Sequence, residues 1–228
     1  MKIEICANSM RSAENAKAGG ANRIELCQQL EMGGTTPTEE AIRYCVERLG
    51  LRTHVLVRPR GGDFCYSEAE FEQICHEIEL CRRCGTHAVV VGFLTPEGLI
   101  DEERTRKAVR LAEGMEVTFH RAFDEMKQDP IEALEVLVRC GCHRLLTSGC
   151  HPSAEEGIGV LKKLVQQAQG RITILAGAGV TPQNAALIAR ETGVTEMHGS
   201  CKHTLADGTM ETDADTVREL MRMWGNNE

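Results

Sequence analysis

Two short runs, Lys2-Ile3-Glu4-Ile5-Cys6 and Arg23-Ile24-Glu25-Leu26-Cys27, with a helix-periodic segment over residues 9–19 between them, decide the fold. Each run alternates apolar and polar side chains at the period of two that a strand imposes. Strand, helix, strand at this spacing means a right-handed parallel crossover. The same unit recurs along the chain, with strands expected at 2–6, 23–27, 53–59, 88–94, 116–122, 144–148, 172–176 and 196–200. Helices are expected at 9–19, 37–49, 67–84, 101–113, 130–140, 153–169, 182–192 and 213–224. Thr36-Pro37, Asp129-Pro130 and Thr181-Pro182 each put a capping side chain before a proline at the first helical position. Gly19, Gly50, Gly85, Gly114, Gly141, Gly170 and Gly193 follow the helices, where a left-handed residue ends them. Eight units in 228 residues is about 28 residues each, near the lower size limit of a (β/α)8 barrel. A doubly wound open sheet shares the alternation, but no Gly-x-Gly-x-x-Gly follows the first strand. The expectation is α/β: one TIM-barrel domain over residues 1–228.

Composition narrows the class further. With 42% hydrophobic and 26% charged residues, 22 Gly and 6 Pro, this is a globular chain. Thirty-four acidic against 26 basic residues give a net charge of -8, and no basic stripe offers affinity for a phosphate backbone, so no nucleic acid is expected. The N-terminus has no secretory h-region and no apolar run approaches the ~20 residues of a membrane span. A cytoplasmic protein is expected, its 11 cysteines kept as thiols in a reducing compartment.

Strand parity sorts the polar groups. If Ile3, Ile5, Ile24 and Leu26 face the helices, then Glu4, Cys6, Arg23, Glu25 and Cys27 face the axis. By the same parity Leu56, Arg58 and Arg60 share a face, as do Thr118 and His120, and Glu196, His198 and Ser200. Catalytic groups in this fold gather at the C-terminal ends of the strands. Glu4, Glu25, Arg23 and Arg58 either neutralise one another as a buried ion network or supply acids beside imidazoles for general acid–base chemistry, and the two readings can coexist.

Arg58-Pro59-Arg60-Gly61-Gly62-Asp63 pairs guanidinium forks with a glycine turn, which suits a carboxylate or phosphate, or is a tight turn in which Asp63 bridges an arginine. Ser148-Gly149 after the sixth strand and Gly177-Ala178-Gly179 after the seventh fall where barrels commonly bind phosphate. Cys6 and Cys27 close adjacent strands about 4.8 Å apart, so they are either small core residues or a thiolate pair for one soft ion such as Cu(I). Cys81-x-x-Cys84 has no second pair at zinc-finger spacing and reads as structural. His151, His198 and His203 are candidate ligands or surface histidines. Met221, Met223 and Trp224 on the last helix read as core, or as an apolar contact if the barrel is a scaffold.

The stretches Glu4-Ile5-Cys6, Arg23-Ile24-Glu25-Leu26-Cys27, Gly33-Gly34-Thr35-Thr36-Pro37, Arg58-Pro59-Arg60-Gly61-Gly62-Asp63-Phe64, Thr118-Phe119-His120-Arg121-Ala122-Phe123-Asp124, Leu146-Thr147-Ser148-Gly149 and Ala176-Gly177-Ala178-Gly179-Val180 together resemble the CutC family of copper homeostasis proteins. The resemblance implies a TIM barrel, a cytoplasmic role in copper handling, Cys6 and Cys27 as Cu(I) ligands, and a homo-oligomer. The same motifs keep acids, arginines and a histidine that a Cu(I) carrier does not need. The alternative is therefore a barrel enzyme in which Glu25 or Glu4 and His120 act as acid and base. Arg58, Arg60 and the late glycine loops would then hold a small anionic substrate. Segment 201–213 looks shorter than the loop common after the last strand of the family.

Overall fold

The structure, a computed structural model, describes residues 2–206 and 208–225, with nothing said of the side chains of 224 and 225. Eight parallel strands close into a barrel in chain order: β1 Lys2–Ala7, β2 Arg23–Leu26, β3 Thr53–Leu56, β4 Ala88–Val91, β5 Glu116–Phe119, β6 Arg144–Thr147, β7 Thr173–Ala176 and β8 Glu196–Gly199. β8 closes the ring against β1, with Glu4 opposite His198. The helices around it are α1 Met10–Ala18, α2 Glu39–Arg43, α3 Glu68–Arg83, α4 Glu102–Leu111, a short α5 Ala122–Glu125, α6 Pro130–Cys140, α7 Ile158–Ala168, α8 Ala185–Thr192 and α9 Ala214–Gly225.

The predicted parity holds. Ile3, Ile5, Ile24, Leu26, Val55, Val89, Val117, Phe119, Leu145 and Met197 belong to the main apolar core between strands and helices. Burying each such side chain contributes about 1.5–3 kcal/mol. On α3, Phe71, Ile74, Ile78 and Cys81 recur at helical spacing and are buried, so Cys81 is a core residue, as its spacing implied. A capping box starts that helix: Glu70 N–H donates to the Ser67 hydroxyl, and Ser67 N–H donates to the Glu70 carboxylate.

Several boundaries differ from those the sequence suggests. The β3, β4 and β5 strands each stop three residues early, because their last residues leave the ladder to shape the rim loops. Asp129 caps α6 ahead of Pro130 as expected, and Gly141 ends it at φ +86°. Thr36 does not cap α2. Its hydroxyl donates to Glu77 at 2.6 Å and accepts the Arg58 N–H at 2.9 Å, and Thr38 is the cap instead. α2 then continues as a π-helical turn, Tyr44–Arg48. Thr181-Pro182 precedes a turn, and α8 begins only at Ala185. Gly19 keeps a right-handed backbone, and the left-handed turn falls on Gly20 at φ +87°.

Within 201–213, β9 Lys202–Thr204 and β10 Met210–Thr212 pair as an antiparallel hairpin at the rim. It is tied to α1: Asn15 donates to the Thr212 carbonyl at 2.9 Å, and Thr212 N–H donates to the Ser12 hydroxyl at 3.1 Å. On α9 Met221 packs against the core and Met223 is exposed, whereas the side chain of Trp224 lies outside the described residues. All eleven cysteines are unpaired. Among the described residues no helix is long and apolar enough to cross a membrane.

Candidate functional site

The barrel interior has two storeys. The lower one is built from the first residues of four strands, Arg23, Glu116, Arg144 and Glu196, together with Glu4 and His54. Arg23 Nε donates to Glu4 Oε2 at 2.6 Å and its Nη2 donates to Glu196. Arg144 donates to Glu196 at 2.8 Å and to Glu116 at 3.2 Å, and Arg52 donates to Glu116 at 2.8 Å. His54 Nδ1 lies 2.8 Å from Glu4 Oε2. Burial opposes the charge on Glu4, but His54, His198 and Arg23 outweigh it and hold the carboxyl well below its usual range. Glu4 and Arg23 are thus members of an ion network, one of the two roles the sequence left open. Arg58 and Glu25 stand outside it.

The upper storey opens at the C-terminal rim. Glu4 reaches it with its second oxygen: His198 Nδ1 is 2.9 Å from Glu4 Oε1, and His198 Nε2 is 3.6 Å from Glu25 Oε2. Burial disfavours an imidazolium, yet Glu25, Cys6 and Glu4 raise His198 well above its ordinary value. Burial, with the nearby Cys6 and Glu4, pushes the Glu25 carboxyl up to about 8. Cys6 Sγ and Cys27 Sγ are 3.8 Å apart, buried beside Leu56 and Val90. Donation from Cys27, with help from His198, draws Cys6 well below the usual thiol range against the penalty of burial, while the same bond and burial raise Cys27. Cys6, Glu25 and His198 each offer one donor atom, all within 4.8 Å of one another.

Glu25, Arg58 and His120 line one cavity of about 160 Å³ with Cys6 and His198; Glu4 does not border it. His120 Nδ1 accepts the Ala122 N–H at 3.1 Å, which puts the ring proton on Nε2. Burial and the Arg58 charge push its pKa down to about 3, so the ring is neutral. The ring packs over Gly92, where a Cβ would fall 2.3 Å from its Cε1.

The expected anion loops are largely occupied by the protein itself. Arg58 donates to the carbonyls of Gly33 at 3.1 Å, Gly34 at 3.3 Å and Gly62 at 2.7 Å, so it is first a clamp for two rim loops. Arg60 turns to Glu70, at 2.6 Å, and to Asp63, at 3.1 Å, and does not line the cavity. At Ser148 and Gly149 the anion is internal. The Asp124 carboxylate accepts from the Thr147 hydroxyl, from Ser148 N–H at 3.1 Å and Oγ at 3.0 Å, and from Cys150 N–H at 3.1 Å. Gly149 N–H is taken by the Thr147 hydroxyl at 2.9 Å. Gly177 continues the ladder to Thr147, and a Cβ there would meet Leu146 at 2.5 Å. Gly179 faces a second, larger rim cavity of about 540 Å³.

Of the candidate histidines, His198 joins the site, while His151 and His203 are exposed. Sequence parity carried the signal for His198, and for His54 and Arg144, which share faces with Leu56 and Ser148 and went unnamed. No local signal marks Asp124, because it acts on a loop distant in the chain.

Residues 1–203 match the CutC family. A CutC protein of Porphyromonas gingivalis is 46% identical, with 97% of each chain covered. The human copper homeostasis protein cutC homolog is 43% identical over 90% of this chain and 75% of its own. A solved CutC structure from Streptococcus agalactiae superposes with a TM-score of 0.83 at 34% identity, covering 88% of this chain and 99% of that one. The phosphoribosylanthranilate isomerase of Pyrococcus furiosus, at 14% identity and a TM-score of 0.63 over 99% of both chains, shares the barrel fold alone.

Proposed function

The chain belongs to the CutC family, and from that premise we propose that it serves copper homeostasis by holding Cu(I) between the sulfurs of Cys6 and Cys27. The observation that carries this reading is the 3.8 Å approach of two buried sulfurs at the open end of the barrel. Thiolates select soft ions, and the sulfur pair sits among the apolar side chains of Leu56, Val90 and Leu30. The His198 cation, held by Glu4, lies where it offsets the negative charge of a dithiolate complex. The reading includes a cytoplasmic setting, in which a reducing medium keeps the pair as thiols, and a homo-oligomeric assembly.

Anaerobic titration with Cu(I) against a chromogenic chelator tests it. One tightly held Cu(I) per chain is expected, lost in Cys6→Ser with Cys27→Ser and kept in Cys150→Ser. Unchanged affinity in the double variant removes those ligands. Loss on Cys6→Ser alone, with Cys27→Ser silent and Zn(II) binding intact until Glu25 or His198 is changed, would instead assign a divalent ion to Cys6, Glu25 and His198.

A further inference from the structure

The two rim cavities share Cys6, Leu30, Arg121 and His198, so they form one mouth with an inner and an outer part. Copper at the sulfur pair leaves most of that mouth without a task, yet it is furnished with unused donors. In the inner part, His120 is 6% exposed, carries its proton on Nε2, and that atom has no partner among the described residues. Arg58 Nε in the same wall is likewise buried and unpartnered. In the outer part, Lys202 Nζ is buried without a hydrogen-bond partner among the described residues at the start of the β9–β10 hairpin, within electrostatic reach of Cys6 and Glu25. The backbone N–H groups of Ala178, Gly179 and Val180 also have none among the described residues. Ala178 at φ +76° and Gly179 at φ +69° hold that loop in left-handed conformations, which for alanine is a strain that a bound ligand can justify. Ala178 is half-buried and Gly179 exposed, so their amides face the opening, whereas the buried His120, Arg58 and Lys202 donors each cost about 1–3 kcal/mol if left unmade and call for an acceptor.

We propose that the mouth binds a small organic phosphate, its phosphate group against Lys202 and the 178–180 amides, and an oxygen of its organic part against His120 Nε2. Three features select phosphate over a lone carboxylate. An ammonium, three consecutive amides and the Ser200 hydroxyl around one cavity match a group with three terminal oxygens. The site lies after the seventh and eighth strands, where barrels place phosphates. The two volumes, about 540 and 160 Å³, leave room for an organic part reaching inward. This goes beyond the copper reading and needs neither sulfur as a ligand.

The test uses the metal-free full chain in calorimetric titrations with inorganic phosphate, ribose 5-phosphate and ribose. Both phosphates are expected to bind, ribose 5-phosphate the tighter, and ribose not at all. Lys202→Met weakens both phosphates by about tenfold or more, as loss of a charge-assisted bond implies. His120→Phe weakens ribose 5-phosphate and spares inorganic phosphate, while the exposed control Lys162→Met changes neither. Melting curves without ligand show whether each variant folds, and Ser200→Ala supplies a milder second probe of the outer cavity. No heat with either phosphate at millimolar concentration, or equal affinity in Lys202→Met and Ser200→Ala, overturns the outer site. Ribose 5-phosphate binding no tighter than phosphate overturns the inner one.

Discussion

Replacing Arg23 by methionine is the sharpest probe of how the barrel interior is held. The side chain is fully buried and lies between Glu4, 2.6 Å from its Nε, and Glu196. Methionine keeps most of the volume and removes the charge, so the loss is electrostatic rather than a cavity. Two charge-assisted hydrogen bonds disappear, at about 1.5–3 kcal/mol each. Two carboxylates then remain in the interior with less compensation, and breaking one side of a buried pair typically costs about 3–5 kcal/mol. Arg144 still serves Glu196 at 2.8 Å and His54 still faces Glu4 at 2.8 Å, which keeps the expected figure near about 4 kcal/mol. For a chain of this size that is a melting temperature lower by about 8–16 °C. Urea unfolding followed by circular dichroism, with Arg23→Met, Glu4→Gln and the double variant, measures the loss and its coupling. A loss under about 1 kcal/mol, or strict additivity of the two changes, would refute the network as a source of stability.

Two further outcomes are expected. Asp124→Ala strips the loop donors of Thr147, Ser148 and Cys150, and Arg121 at 2.8 Å, of their shared acceptor. A destabilisation of about 3 kcal/mol is expected, and added acetate should raise the melting temperature of the variant but not of the parent; equal responses would show that the carboxylate is dispensable. Burial opposes the charge on Glu116, but Arg144 and Arg52 overcome it and hold the carboxyl down at about 2, with His54 4.0 Å away and His87 also near. A depressed carboxyl contributes stability that is complete above its unfolded pKa of about 4.3 and is lost as pH falls toward the folded value. Urea midpoints should therefore drop between pH 5 and 2 by less in Glu116→Gln than in the parent, and parallel profiles would contradict this assignment.

What could be read from the residues depended on how local the cause was. Alternation in Ile3-Glu4-Ile5-Cys6 and Arg23-Ile24-Glu25-Leu26 is a property of single strands, so the barrel, its inward face and the Cys6 with Cys27 pairing were legible. Glu4 and Glu25 read alike in sequence, each a lone acid between isoleucine or leucine neighbours, yet Glu4 bonds Arg23 as well as His198, whereas Glu25 faces His198 at 3.6 Å. The difference comes from strand stagger, which sequence spacing does not reveal. Thr36 looked like a helix cap because a proline follows it, but its partner Glu77 lies on another helix. Ser148 looked like an open donor because Asp124, its occupant, arrives from the preceding barrel unit. The Lys202 hairpin has a local turn signal in Asp207-Gly208 and closes with the Leu205 N–H on the Thr209 carbonyl at 2.8 Å, but its anchorage to Asn15 and Ser12 on α1 has no local signal.

The charged lower storey has a consequence for traffic. Arginine, glutamate and histidine side chains from β1, β2, β3, β5, β6 and β8 interlock across the axis, so the lower storey is filled with paired charges. An ion lodged at the sulfurs would leave on the His198 side by ligand exchange with something standing there, and a molecule seated beneath the hairpin would act as its cork.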